Sequence, residues 1–291
     1  MTIEEFYQEV VNSPLCPDNF DAIYKEFRLY QRDAIRTLNE FHRICEKHNI
    51  RYILGYGSLL GAVRDHGQVP WDYDVDVYIP YEERERLLSA LDKELGNDYY
   101  YECPENCRNF PSFMIRMSPK EYDTEAVHVD IFYIIGAPDE KTELYLFSER
   151  MKQLCIDRSR KKRNLQKLPE RDFKSLIIVL GGKIRRLNKP ISKIDKELYK
   201  ICGLYDPYKT GRSMVICAVY KNVFSYDTEL LWKTRLIHTD CGTYRIPESY
   251  QDILKALYGD YSNPLPLERR IEELQHYYKL LKHLDQYIKD R

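Results

Sequence analysis

Three aspartates on alternate positions constrain the fold of this chain more than any other feature. Asp72, Asp74 and Asp76 stand in the segment 71–79, which reads WDYDVDVYI. Alternate side chains of a strand share a face, so the pattern predicts a strand over 73–79 with the carboxylates along one edge and valines on the buried face. Carboxylates this close repel one another, and Mg²⁺, or Mn²⁺ in its place, would remove that repulsion. The alternative is a solvated strand edge, although aspartate is depleted in strands.

A glycine-rich segment precedes the acidic one. Residues 55–61 read GYGSLLG, and we expect a turn there. Glycine at Gly57 would let the backbone approach a phosphate closely, and Ser58 could donate a hydrogen bond to it. A simple turn is the alternative interpretation for Gly57. Together the two segments favour a site for a metal–phosphate complex.

Composition limits the class of protein. The chain has 291 residues, of which 43% are hydrophobic and 31% charged, with a formal net charge of −1. These values are typical of a soluble globular protein and argue against a general nucleic-acid binder. The first residues, MTIEEFYQ, are acidic without an apolar core, so we expect no signal peptide and a cytoplasmic location.

The eight cysteines are scattered and are interpreted as reduced thiols. Cys103 and Cys107 alone lie close together in sequence, and a structural zinc site would need two further ligands. We leave open whether they bind zinc.

Strands interleaved with helices up to about residue 140 predict an α+β core with a mixed sheet flanked by helices. Helices are expected over 25–48, with Leu29 and Leu38 on the apolar face, and over 81–95. Strands are expected over 50–54, 99–102, 113–117 and 127–135, the last carrying Asp130. We expect one unit over 1–291: a core at about 25–140, a basic helical insertion at about 141–205, and C-terminal strands and helices at about 206–291. Within the last part the pattern predicts strands near 214–219 and 233–246 and helices over 249–258 and 267–290.

Several motifs resemble those of LicD-type proteins. GSLLGAVR at 57–64 and VPWDYDVDV at 69–77 together resemble the family's first motif, and HVDIF at 128–132 its later acidic strand. Near the C-terminus, IP at 246–247 and YGDY at 258–261 resemble its closing motif. The likeness runs from about residue 28 to 266. The family includes bacterial phosphocholine transferases and is related to fukutin-type ribitol-phosphate transferases.

The resemblance implies a nucleotidyltransferase-like core that binds Mg²⁺ and a nucleotide. It also implies transfer of a phospho-alcohol, with phosphocholine as the first candidate, from a CDP-linked donor. The acceptor would be a sugar hydroxyl on a glycan or lipid-linked glycan, such as teichoic acid, lipopolysaccharide or capsule. One residue departs from the family pattern: Tyr73 stands where many members have aspartate. By strand alternation we expect its ring to point away from the carboxylates.

We assign roles to the candidate residues as follows. Asp74 and Asp76 are the expected metal ligands, and Asp130 is a third ligand or the base that takes the acceptor's proton. Asp72 either joins them or fixes the loop. Arg64 would clamp a phosphate or pair with a nearby aspartate. His128 would contact the substrate, although a packed histidine is the more common case.

Two alternatives to the phospho-alcohol transferase stay open. The same metal ligands would equally suit a nucleotidyltransferase that moves a nucleoside monophosphate from a triphosphate to a sugar, small molecule or protein. A glycan-binding scaffold without activity is the non-enzymatic alternative. The basic, apolar stretch 158–189 could rest on the inner face of a membrane, or it could form a buried helix with solvated ends.

Overall fold

The computed structural model describes residues 1–107, 110–122, 126–162, 190–216 and 224–289. The chain divides into two compact units. The first comprises Met1–Tyr101, Arg116–Phe132 and Glu229–Arg291, and the second comprises Glu102–Ile115 and Tyr133–Thr228.

Helices and strands are interleaved along the first half of the chain, as the sequence predicts, with strict alternation only from α2 to β3. The helices are α1 (Ile3–Val11), α2 (Phe20–Lys47), α3 (Tyr56–Arg64), α4 (Arg84–Glu94), α5 (Lys141–Lys162), α6 (Ile191–Cys202), α7 (Glu229–Trp232), α8 (Tyr250–Tyr258) and α9 (Leu267–Lys289). The strands are β1 (Ile53–Leu54), β2 (Val75–Pro80), β3 (Tyr99–Glu102), β4 (Ile115–Pro119), β5 (Val129–Ala137), β6 (Arg212–Val215), β7 (Ser225–Asp227), β8 (Thr234–Thr239) and β9 (Gly242–Pro247).

The first unit is built on a sheet with the strand order β1-β2-β5-β4-β3, to which β5 contributes residues 129–132. β1 and β2 are antiparallel, with Ile53 opposite Tyr78 and Leu54 opposite Val77. The expectation of a mixed sheet flanked by helices is confirmed. The expectation of a single buried face for β2 is wrong, because every residue of β2 is buried. A strand covered on both sides has no solvated face on which alternating charges could stand.

Helix α2 packs through a stripe that differs in part from the predicted one. Leu29, expected on the apolar face, is 44% exposed, and Asp33 is buried. Tyr122 donates its hydroxyl proton to Asp33 Oδ2 at 2.8 Å, which satisfies that buried carboxylate. The buried stripe repeats every three or four residues, as an amphipathic helix requires, and includes Phe27, Ala34, Leu38, Phe41 and Ile44.

The C-terminal part of the first unit is a hairpin followed by two helices. β8 and β9 pair antiparallel from Thr234–Pro247 to Thr239–Gly242. The backbone N–H of Asp240, at the hairpin tip, donates to the carbonyl of His66 at 2.8 Å. The tip thereby holds the segment that leads from α3 towards the acidic residues.

The second unit contains three paired strand segments and a helix pair. Residues 134–137 of β5 pair antiparallel with β6, and β6 pairs with β7. Arg158 on α5 is fully buried. Its Nε donates to Asp195 on α6 at 2.7 Å, and its Nη1 donates to the carbonyls of Phe110 and Ser112 at 2.8 and 2.7 Å. This guanidinium therefore ties both helices to the preceding loop.

Two predictions fall partly or wholly outside the described residues. The proposed membrane-contacting run 176–180 and its basic flanks to residue 189 lie there, and so does the end of the strand predicted over 214–219. Within the part of the chain that the structure describes, no helix combines the length and apolar character needed to span a bilayer.

Candidate active site

The three aspartates of the acidic motif do not stand along one strand edge, so that prediction is wrong. β2 begins only at Val75, which leaves Asp72 and Asp74 in the loop that precedes it. The buried Gln31 of α2 fixes this loop. Its amide donates to the carbonyl of Val69 at 3.1 Å and also to the carbonyl of Asp72. A loop anchored by a side-chain amide does not keep the two-residue alternation of a strand.

The expected glycine-rich turn is instead the first turn of α3. In this turn Gly57 lies beside the carboxylate of Asp72, and Ser58 contacts the backbone of Asp76. The backbone N–H of Asp76 donates to Ser58 Oγ at 2.9 Å, and the N–H of Gly55 donates to the carbonyl of Asp76 at 2.9 Å. A Cβ added at Gly57 would lie 2.7 Å from Asp72 Oδ2. Since Ser58 Oγ accepts here, its own proton stays available to a ligand.

Asp130 on β5 reaches the same site and is held by an arginine. Arg116 on β4 binds it bidentately, with Nε 2.5 Å from Oδ1 and Nη2 3.2 Å from Oδ2. His128 Nε2 lies 3.5 Å from Asp130 Oδ1, and the histidine is buried. His128 therefore contacts a site carboxylate directly instead of serving only as packing.

Burial and mutual repulsion control the charge of the carboxylates. Burial, followed by repulsion from Asp74, raises the pKa of Asp72 well above its ordinary value, and the pKa of Asp76 is raised for the same two reasons in the same order. Burial also raises the pKa of Asp74, although a hydrogen bond with Asp72 opposes it. Burial pushes the pKa of Asp130 upwards too, but the attraction of Arg116 and His128 outweighs it and leaves that pKa below the ordinary value. The cluster is therefore short of positive charge.

The donor set suits a hard divalent cation chemically. Among the described residues, no group of three or more His, Cys, Asp or Glu side chains is arranged to hold a metal ion. Mg²⁺, however, is usually bound through one or two carboxylates together with substrate phosphates and water. Asp74 and Asp76, whose charges repel and whose pKa values are raised, fit that requirement. Within the described residues, Cys103 and Cys107 belong to no group of three or more potential metal ligands, and burial raises the pKa of Cys103 to about 11.

An aromatic and basic layer from α9 supports the acidic loop. Arg270 lies 5.3 Å from the ring of Trp71, and its guanidinium binds Glu9 at 2.8 and 2.7 Å. One helical turn further on lies Glu273; burial raises its pKa, and the neighbouring Trp71 side chain opposes that rise. Tyr277 packs on Tyr73 with ring centroids 5.1 Å apart. The spacing 270, 273, 277 puts these three side chains on one face of α9.

Tyr73 does not point away from the site as strand alternation suggested. Its ring lies 6.4 Å from that of His128, edge to face. Burial, then repulsion from Asp74, raises its pKa. Because residue 73 belongs to a loop, the alternation argument does not apply to it.

Arg64 makes the salt bridge that was one of its two expected roles. Its Nε and Nη2 bind the carboxylate of Asp65 at 2.9 and 2.7 Å, and its guanidinium lies 5.5 Å from the Trp71 ring. Arg64 on α3 and Arg270 on α9 thus both contact Trp71 in the acidic loop.

Sequence reasoning missed Arg116, Gln31 and the contacts from α9. A signal existed for Arg116, which is a single charge in the otherwise apolar run 113–117, FMIRM. A charge at such a position needs a buried partner. Gln31 and Arg270 carried no comparable signal, since their partners are distant in sequence.

Comparisons with known proteins show which family and which relatives this chain resembles. Residues 49–177 match the family described as "LicD/FKTN/FKRP, nucleotidyltransferase domain". The chain is 28% identical over 254 residues to the lipopolysaccharide cholinephosphotransferase LicD of Haemophilus influenzae, a match that covers 83% of this chain and 93% of that protein. Shorter matches of 97 residues link it to uncharacterized proteins of Rickettsia typhi, at 34% identity over 31% of that protein, and Rickettsia prowazekii, at 32% over 36%. The resemblance inferred from the motifs is thereby confirmed, and the matched residues 49–177 contain all four site carboxylates.

Proposed function

We propose that this chain transfers phosphocholine from a CDP-linked donor to a sugar hydroxyl of a cell-surface glycan precursor, with Mg²⁺ as its cofactor. The observation that carries the proposal is the cluster of Asp72, Asp74 and Asp76, whose pKa values are all raised, beside the first turn of α3. Such a cluster calls for positive charge, and a metal-bound diphosphate would supply it.

The Haemophilus relative supports the choice of group and acceptor. Its name describes transfer of a choline phosphate to lipopolysaccharide, and it aligns over 93% of its length. We extend both to this chain, with lipopolysaccharide as the first acceptor to test and teichoic acid or capsule precursors after it. A nucleotide-linked donor is consistent with action in the cytoplasm, with the acceptor presented at the inner face of the membrane.

The position of each residue determines the role that we propose for it. Asp74 and Asp76 would hold the cation, which would neutralise charge on the donor's phosphates. Ser58 and the backbone at Gly57 would contact the diphosphate. Asp130, whose pKa is lowered and which therefore stays ionised, fits a third ligand better than a base.

The transfer itself is an in-line displacement at phosphorus. The acceptor's hydroxyl oxygen would form a bond to the phosphorus of phosphocholine, the bond from that phosphorus to CMP would break, and the hydroxyl proton would pass to a carboxylate. The protein's contribution is then to position both substrates and to neutralise charge.

A donor screen tests the proposal. The protein is incubated with Mg²⁺, lipopolysaccharide acceptor and, in separate reactions, CDP-choline, CDP-ribitol, CTP or ATP. We expect CMP release with CDP-choline. CMP release from CDP-ribitol alone would show that the transferred alcohol is ribitol and not choline. Pyrophosphate release from CTP or ATP would show that the protein is a nucleotidyltransferase instead.

A further inference from the structure

Arg116 occupies an unusual place among the four site carboxylates. It projects from β4, and its side chain is 17% exposed. Its two hydrogen bonds to Asp130 together form a bidentate pair. Buried guanidinium–carboxylate pairs of this kind hold a side chain firmly.

The influence of Arg116 extends beyond Asp130. Its charge also acts on Asp74 and Asp76, where it opposes the repulsion from neighbouring carboxylates. The attraction of Arg116 therefore reaches three of the four site carboxylates, Asp74, Asp76 and Asp130. Arg116 therefore supplies, in the metal-free site, part of the positive charge that a cation would bring.

Binding of a metal–diphosphate complex would change which anionic groups are available to the Arg116 guanidinium. A divalent cation competes with the guanidinium for Asp130, because both need the same carboxylate oxygens. The incoming phosphates offer the guanidinium another planar pair of oxygens, which its donor fork fits as well as it fits a carboxylate. Exchange of one anion for the other conserves the charge balance around Arg116.

We propose that Arg116 is an exchangeable counter-ion: it holds Asp130 in the empty site and moves to a phosphate of the donor when the metal takes Asp130. This inference rests on the proposed function and deepens it, since it assigns a phosphate-binding residue to the same site. It requires opposite effects of one substitution on metal binding and on donor binding, which a purely structural role does not.

Two variants and one control test the exchange. Arg116→Gln removes the charge, and Arg116→Lys keeps the charge but loses the fork. Arg245→Gln is the control, because Arg245 binds Glu46 in the same bidentate way at 2.6 and 2.9 Å outside the acidic cluster. Thermal melting of each variant first establishes that it folds.

The measurements are Mn²⁺ affinity without donor, by electron paramagnetic resonance, and CDP-choline affinity at saturating Mg²⁺, by calorimetry. For Arg116→Gln we expect Mn²⁺ to bind several-fold more tightly, because a competitor for Asp130 is gone. We expect CDP-choline to bind on the order of 10-fold or more weakly, since a charge-assisted hydrogen bond to its phosphate is lost. Arg116→Lys should keep Mn²⁺ affinity near that of the wild type and still weaken the donor. The control should change neither.

Two results would overturn the exchange. One is donor affinity of Arg116→Gln within twofold of the wild type, and the other is Mn²⁺ affinity that falls together with donor affinity. If Arg116→Gln does not fold, Arg116→Lys decides by donor affinity alone. Both readouts are independent of turnover, so absence of CMP release by the wild-type protein would count against the proposed function while the exchange is judged separately.

Discussion

Two glycines of helix α3 provide a sharp test of how the site is built. Gly57 and Gly61 lie one turn apart in the same helix, yet the space beside them differs. A Cβ at Gly57 would meet only the carboxylate end of Asp72, at 2.7 Å. A Cβ at Gly61 would meet backbone atoms, with Gly67 O at 2.7 Å and Val69 N at 2.8 Å.

The expected magnitudes follow from what each Cβ displaces. Alanine is favoured over glycine in a helix by about 1 kcal/mol. In Gly57→Ala a flexible side chain can move, so the free energy of unfolding should stay within about 1 kcal/mol of the wild type. In Gly61→Ala the backbone of the following loop must shift, and overpacking of this kind typically lowers stability by about 1–3 kcal/mol, occasionally by more.

Gly57→Ala should lose activity although its stability stays close to that of the wild type. To restore an ordinary contact of 3.4 Å from the present 2.7 Å, the Asp72 carboxylate of Gly57→Ala must move by about 0.7 Å. A displacement of about 1 Å at a reacting centre can lower the rate by about 100-fold. We therefore expect the kcat/KM of Gly57→Ala for CDP-choline to fall on the order of 10-fold while the protein remains folded.

Urea unfolding and CMP release measured on the same preparations check this prediction. The reasoning is refuted if Gly57→Ala loses as much stability as Gly61→Ala. It is equally refuted if Gly57→Ala is as stable and as active as the wild type, because Asp72 would then have no bearing on the site.

Three further predictions concern charge. Asp76→Asn should abolish CMP release and raise the melting temperature of the metal-free protein, because it removes a buried, repelled carboxylate; near-wild-type turnover at saturating Mg²⁺ would contradict the metal site. The hydrogen bonds from Lys47 and then His48 lower the pKa of Glu94 to about 2 from 4.5, so their stabilisation is complete above pH 4.5 and disappears as the pH falls through 2. Glu94→Gln should accordingly melt below the wild type at pH 7 and together with it near pH 2, and a difference independent of pH would refute this. Arg270→Leu should lower the free energy of unfolding by about 2–3 kcal/mol by leaving its ion pair unmade, and unchanged urea midpoints would show that α9 does not support the acidic loop.

The sequence was sufficient for the order of elements and for the identity of the acidic residues. Period-two and period-3.6 patterns located β3 and α9 to within a residue of their observed ends. The carboxylates were found because aspartate is rare in an apolar run, and that reasoning holds wherever the strand begins.

Local conformation around the site was predicted less well, for physical reasons. The segment 55–61 contains three glycines and reads as a turn, but contacts with β2, such as the hydrogen bond between Asp76 N–H and Ser58 Oγ, favour a helix there. The loop at Asp72 and Asp74 was read as a strand because its anchor, Gln31, is 41 residues away from Asp72. Tertiary contacts of this range leave no periodic pattern in the sequence.

Transfer of labelled phosphocholine shows whether the protein is a metal-dependent phosphocholine transferase. CDP-choline labelled in its methyl groups is incubated with the protein and lipopolysaccharide, with Mg²⁺ in one reaction and with EDTA in the other. Label in the glycan and CMP are then counted. We expect equal amounts of labelled glycan and CMP with Mg²⁺, and neither product with EDTA. Transfer at the same rate in EDTA, or label that stays in CDP-choline in the reaction with Mg²⁺, would contradict the proposed function.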